Sequence, residues 1–155
     1  MRLVSLTALI VVLLDQISKF VVVQLLGLDH RLAIDVLPPY LNFRMAWNEG
    51  VNFGLLANST QLTRWLLIAV ALGISAWVWL WIRRDGHSWI SRLCAGLLIG
   101  GAVGNVIDRL VYGAVADFLN MSCCGYRNPF SFNLADVAIF AGALGLVLFG
   151  SQKTP

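Results

Sequence analysis

Charge is scarce in this chain. Of its 155 residues only 12% are Asp, Glu, Lys or Arg, about half of the roughly 25% usual in a soluble domain. The net charge of +3 is modest, and no basic cluster is dense enough to hold nucleic acid. Cysteine is also sparse. Cys94, Cys123 and Cys124 make an odd count with no C-x-x-C spacing, which argues against both a disulfide framework and a zinc site. The two histidines, His30 and His87, lie far apart in sequence and read as ordinary loop residues, so no metal-ligand set is apparent and no cofactor is implied. There is no internal repeat and no low-complexity tract. Glutamate is nearly missing: Glu49 is the single one, and every other acidic residue is an aspartate.

What the chain has in excess is apolar surface. Hydrophobic residues make up 59% and the mean hydropathy is +0.78, more than a core of this size can bury, so the surplus is expected to face lipid. Four apolar spans emerge, at about 3–26, 65–82, 93–109 and 134–150. A membrane-crossing helix needs about 20 mostly apolar residues, and the second span meets this with no charge at all. The first span begins like a signal peptide, but Asp15 and Lys19 occupy the cleavage region and no small-x-small site follows, so a retained helix is expected. The expected fold is a single integral membrane domain over 1–155, mainly α-helical, with four transmembrane helices.

Orientation follows from the short basic loop between spans two and three, which carries Arg83, Arg84 and Arg92, with Arg2 and Lys153 at the ends. By the positive-inside rule this loop and both termini are cytoplasmic, and segments 27–63 and 110–133 face outward. Segment 27–63 is too rich in turn residues for another span. After Pro38-Pro39, the stretch YLNFRMAWN alternates partially between apolar and polar residues and reads as short strand structure, punctuated by Gly50 and Gly54.

Carboxylates beside or within apolar spans are expensive and mark candidate functional sites. Asp15 and Lys19 are four apart on one helix and can pair on a shared face, either as a structural ion pair or as part of a polar site. Asn105, Asp108 and Arg109 share a face of span three, where Arg109 is placed to neutralise Asp108. Asp117 follows in the outer GAVADF stretch. Asn133 and Asp136 open span four, where an N-cap and its third helical residue would be expected. Two aspartates from different segments, such as Asp117 or Asp108 with Asp136, could share one proton and supply an acid and a base for attack of water on a peptide carbonyl. Nucleophilic alternatives are weaker. Cys123 and Cys124 have no histidine near them in sequence, Cys94 reads as a small buried hydrophobe, and Ser18 and Lys19 point to different helix faces. Gly100, Gly101 and Gly104 would permit close helix packing.

In order, Asp15-Gln16-x-x-Lys19, Asn48-x-Gly50-x-x-Phe53, Gly104-Asn105-x-x-Asp108-Arg109, Val115-Ala116-Asp117-Phe118 and Phe132-Asn133-x-Ala135-Asp136 resemble the motifs of the lipoprotein signal peptidase (signal peptidase II) family. Each is weak alone; five in register cover nearly the whole chain. The resemblance implies an aspartyl endopeptidase of the bacterial inner membrane that cuts diacylglyceryl-modified prolipoproteins before the lipidated cysteine. It implies Asp117 and Asp136 as the catalytic pair, a small outer β-sheet that cradles substrate, and inhibition by globomycin. It places Asp15, Lys19, Asn48, Gly50, Asn105, Asp108, Arg109 and Asn133 in substrate-binding or supporting roles. A monomer is expected, with movement of 27–63 or 119–131 to admit substrate. Departures from the family pattern are Asn52, Ala116 and Cys123-Cys124-Gly125. Two other classes compete: a small proton-coupled transporter or channel subunit, which would spread carboxylates through the membrane depth and show a repeat, and a structural subunit of a larger assembly.

Overall fold

The computed structural model describes residues 1–50, 60–84 and 86–150; Asn52, Phe53, Gly54 and Lys153 lie outside them. The chain begins with α1 (Arg2–Lys19), which continues as a π-helical segment over Phe20–Leu25. A one-turn helix, α2 (Leu28–Arg31), leads into β1 (Ala33–Leu37) and β2 (Leu41–Asn48). Then come α3 (Thr60–Arg83), α4 (Trp89–Tyr112), β3 (Val115–Met121) and α5 (Leu134–Phe149).

The helices start and stop where local chemistry directs. The Ser88 side chain caps α4 by accepting from the Ser91 N–H, and Gly113, at φ 85°, ends it in the left-handed region that suits glycine. Both α3 and α4 run past the boundaries expected from hydropathy. Arg64 and Arg92 look like ends of apolar runs, but a long arginine can lie within the first turns of a helix with its head at the interface. The outer segment expected at 27–63 accordingly stops short of Thr60, where α3 begins.

At the centre of the bundle, α4 is packed by α1, α3 and α5. Its contact with α1 depends on missing side chains. A Cβ at Gly100 would lie 2.7 Å from the Ala8 carbonyl oxygen, and one at Gly104 would lie 2.8 Å from an Asp15 carboxylate oxygen. Small residues four apart thus bring the two backbones together and place Asp15 against α4. Outward faces are apolar instead: Leu9, Leu13 and Ile17 on α1, Leu66, Leu72 and Trp77 on α3, and Phe140 and Val147 on α5 are all exposed. Such faces are stable in hydrocarbon, and this is a multi-pass membrane protein.

Among the described residues, three helices are long and apolar enough to cross a membrane: Arg2–Leu25, Gln61–Arg83 and Trp89–Tyr112. The fourth expected span, α5, has 16 residues, or about 24 Å, against a hydrocarbon core of ~30 Å. Asn133, which caps it, bonds Asn105, seven residues short of the α4 terminus at Tyr112, so α5 begins about 10 Å below the end of α4.

The sheet is antiparallel with order β1-β2-β3. Strands are expected in 27–63, and β1 and β2 are there. The outer segment 110–133, which reads as loop around Asp117, contributes β3, and this pairs with β2, setting Ala46 opposite Asp117 and Asn42 opposite Asn120. One connection therefore joins its strands to the other's, at one end of the bundle. Phe43 and Phe118 meet edge to face at 5.8 Å, over Val22, Val23 and Leu28. This apolar layer anchors the sheet on the π-helical end of α1.

Candidate active site

Two linked polar clusters lie where the sheet meets α1, α4 and α5. The first is an ion triad. Lys19 Nζ sits 2.7 Å from Asp15 and 2.7 Å from Asp108, all three buried. The i, i+4 pair on α1 thus reaches across to α4. Gln16 Nε2 also donates to Asp108, at 2.9 Å, and to Asp15, at 3.2 Å. The expected pairing of Asp108 with Arg109 is corrected here. Lys19 neutralises Asp108, while Arg109 donates to the Asn105 carbonyl at 3.3 Å. The reason is rotational. Asp108 lies on the α4 face packed against α1, whereas the Arg109 charge acts most strongly on Asp136, then Asp117, and only then Asp108.

The carboxylates of the triad also hold main chain. Asp108 Oδ2 accepts from the Ala116 N–H at 3.1 Å, and Asp15 Oδ1 accepts from the Ala135 N–H at 3.0 Å. Each of these residues immediately precedes a candidate carboxylate, Asp117 in one case and Asp136 in the other. Charge-assisted bonds of this kind are about twice as strong as neutral ones. The Asp15 bond also places negative charge at the N-terminus of α5, where the helix dipole favours it.

The second cluster holds the side chains. Asn133 caps α5 in a reciprocal box: its Oδ1 accepts from the Asp136 N–H at 2.9 Å, and its own N–H donates to Asp136 Oδ2 at 3.3 Å. The capping reading and the functional reading of Asp136 are thus compatible, since the box fixes that carboxylate. Fully buried Asn133 then donates through Nδ2 to Asp117 Oδ1 at 2.6 Å and to Asn105 Oδ1 at 3.3 Å. Asn105 Nδ2 completes the chain by donating to Asp136 Oδ1 at 2.8 Å. From the sheet, Asn48 Nδ2 donates to Asp117 Oδ2 at 3.1 Å, and the Gly50 N–H steadies Asn48 at 3.0 Å.

Asp117 stands on β3, only 4% exposed. Burial, and then the charge of Asp136, push its carboxyl up to about 6 despite the bonds from Asn48 and Asn133. Two carboxylates from different elements, coupled electrostatically and linked by a pair of asparagines, suit shared-proton chemistry. Asp108 is fully buried with both oxygens engaged, which leaves it poorly placed to meet a substrate.

Two openings adjoin these clusters. A cavity of about 390 Å³ is lined by Ala46, Asn48, Gly50, Asp117, Pro129 and Phe130. On the membrane side, a mostly apolar groove of about 440 Å³ runs between α3, α4 and α5 and ends at Asn105 and Arg109. All ten residues singled out from sequence fall in or beside these clusters. Gln16 was quoted in a motif without a role, and the main-chain bonds of Ala116 and Ala135 carry no side-chain signal.

A model of the family described as signal peptidase (SPase) II matches residues 7–151. A lipoprotein signal peptidase of Methylobacterium sp. (strain 4-46) is 41% identical over 142 residues, covering 92% of this chain and 84% of the relative. One from Burkholderia mallei (strain SAVP1) is 39% identical over 140 residues, covering 90% and 82%. Among solved structures, a bacterial membrane enzyme aligns with a TM-score of 0.79 at 25% identity, over 96% of this chain and 92% of the other. A second, also a bacterial membrane enzyme, has a TM-score of 0.72 at 26% identity, over 92% and 84%.

Proposed function

This chain belongs to the signal peptidase II family and removes signal peptides from prolipoproteins, and we propose that Asp117 and Asp136 are the catalytic pair that does so. One observation carries the assignment. A single buried asparagine, Asn133, donates to Asp117 while it locks Asp136 in a reciprocal cap, so two separate elements present two carboxylates to one place.

The chemistry follows from their environments. Asp117, pushed up to about 6, holds the shared proton. Asp136, held by Asn105 and the main-chain N–H of Asn133, takes a proton from water as that water attacks the scissile carbonyl. Asp117 then gives its proton to the departing nitrogen. The triad of Asp15, Lys19 and Asp108 fixes the backbone on which both stand. Asn48 and Gly50 hold Asp117 from the sheet side, and Arg109 supplies positive charge near the pair.

The setting suits a substrate that is itself a membrane helix. The basic connection between α3 and α4 lies at the end of the bundle opposite the sheet, which by the positive-inside rule supports a reading with cytoplasmic termini and the site near the outer face of a bacterial inner membrane. In this reading α5 is a fourth, recessed span, and the whole chain forms one membrane domain that acts as a monomer. The apolar groove beside Asn105 receives the signal helix or the acyl chains, and globomycin competes at the pair. The test is cleavage of a diacylglyceryl-modified prolipoprotein by purified protein in detergent. Asp117→Asn and Asp136→Asn should each be folded and inactive; turnover by either folded variant removes that residue from the pair.

A further inference from the structure

The catalytic cavity is not the largest on the sheet. Beyond it lies a cavity of about 530 Å³ of mixed lining, with Asp35, Asn42, Arg44, Asn120 and Arg127 set among prolines and Pro129 shared with the catalytic one. The two are joined along β2. That strand carries one extra residue against β3 between Phe43 and Ala46, with Asn42 and Arg44 toward one end and Ala46 and Asn48 toward the other. The first pair lines the larger cavity and the second pair the catalytic one. On β3 the main-chain N–H groups of Phe118 and Leu119 both donate to the Phe132 carbonyl. This bulge lets Asp117 and Asn120, three residues apart, serve the same face.

We infer that this second cavity is a subsite for the polypeptide that follows the lipidated cysteine, with a preference for an acidic side chain there. The inference rests on the peptidase reading above and extends it. Direction comes from geometry: the signal helix must turn toward the membrane, where the groove ends at Asn105 and Arg109, so the chain beyond the cut bond runs the other way, toward Asn42. Arg44 and Asn42 lie two and four residues along β2 from Ala46, about 7 and 14 Å at ~3.4 Å per residue. An extended substrate has the same rise, which brings its side chains about two to five residues past the bond into the cavity.

The lining is short of partners in a way that fits. Asn42 is 7% exposed and donates to the Pro39 carbonyl at 3.2 Å, yet its buried Oδ1 has no partner. A peptide N–H would supply one after a small local adjustment. Arg44 is paired with Asp35, whereas Arg127 makes no ion pair among the described residues. Two guanidinium groups against one carboxylate leave the cavity with one positive charge in excess.

The experiment uses the full-length protein in zwitterionic detergent with diacylglyceryl-modified prolipoprotein peptides. One peptide stops one residue past the cysteine, and two continue for six residues with Asp or Lys at the fourth. The wild type should cleave all three with similar kcat and show a KM for the Asp peptide roughly threefold to fivefold below that for the Lys peptide, the scale of one exposed ion pair. Exposed Arg127→Glu should reverse the order and leave the short peptide unaffected. Equal KM values in the wild type, or an order unchanged in Arg127→Glu, would overturn the subsite. So would a KM difference that appears only with added anionic phospholipid, since the cavity would then hold a headgroup. Failure to cleave even the short peptide would instead count against the peptidase reading.

Discussion

Asp117→Asn should change the pH dependence of stability as well as activity. In the folded protein the Asp117 carboxyl is pushed from 3.8 to about 6, first by burial and then by Asp136. The fold therefore holds that proton more tightly than the unfolded chain does. The associated stability is fully present below pH 3.8 and is lost as pH rises through about 6. At 1.36 kcal/mol per unit, the loss over that window is about 3 kcal/mol. Asparagine has no proton to lose, so the variant should not show this decline. It has a separate cost. Asn48 and Asn133 both donate to the carboxylate, and a carboxamide can accept from only one of them with its oxygen. The other donor then faces an N–H₂ group, at about 1–3 kcal/mol independent of pH.

The expected result is a crossover. Near pH 4 the variant should be the less stable protein, and by pH 7.5 the gap should have closed or changed sign. In thermal unfolding followed by tryptophan fluorescence in detergent, the Tm difference should move by roughly 6–12 °C between those limits. Parallel pH profiles would refute the reasoning, because they would mean that Asp117 titrates alike in the folded and unfolded chains. On the proposed pairing of Asp117 with Asp136, kcat/KM of the wild type should fall as pH rises above about 6, the titration belonging to the pair as a whole.

Lys19→Met should cost about 3–5 kcal/mol, because it leaves Asp15 and Asp108 buried without their cation; normal accumulation and Tm would show that the triad is not what joins α1 to α4. Asp108→Asn should lower accumulation and Tm at least as much as kcat, and an abundant, stable, inactive variant would move Asp108 into the chemistry. Asn105→Ala removes a donor to Asp136 and an acceptor for Asn133 without touching the triad, so kcat should drop about tenfold to a hundredfold alongside a stability loss of about 1–3 kcal/mol by melting, and an unchanged kcat would free Asp136 of that donor. Gly101→Ala would set a methyl group against the Ala135 carbonyl and Ile139, moving the N-terminal turn of α5; a loss of about 1–3 kcal/mol is expected by melting, together with reduced kcat.

How much of this was legible depends on range. The pairing of Asp15 with Lys19 and the cap of Asn133 on Asp136 are local, set by spacings of four and three on single helices, and both stand in the structure. The apolar runs gave the helices, though with ends displaced because arginines inside the first turns resemble loop residues. The pairing assigned to Asp108 failed because spacing along one helix cannot tell which neighbour packs on that face. Arg109 was adjacent in sequence; Lys19 was opposite in space. Strand β3 does not stand out in sequence because VADFLNM is almost wholly buried, with Phe118 and Leu119 adjacent in the same apolar layer, so alternation does not show.

Four of the seven aspartates fall into two ranks. Asp15 and Asp108 accept from the main-chain N–H groups of Ala135 and Ala116, one residue before Asp136 and Asp117. A carboxylate in each case fixes the backbone from which the next carboxylate projects. A neutral side chain could accept the same bonds, but it could not also engage Lys19, and α1 would lose its tie to the two elements that carry the pair. The triad sets one lysine against two carboxyl groups, and two more carboxyl groups stand nearby, so the cluster calls for a further positive charge close to the pair. Arg109, whose charge acts first on Asp136 and next on Asp117, is placed to meet that need. On this argument Arg109→Gln should leave the fold nearly intact and shift the basic limb of the kcat/KM profile to higher pH. An unshifted limb would mean that Arg109 serves substrate binding rather than the protonation state of the pair.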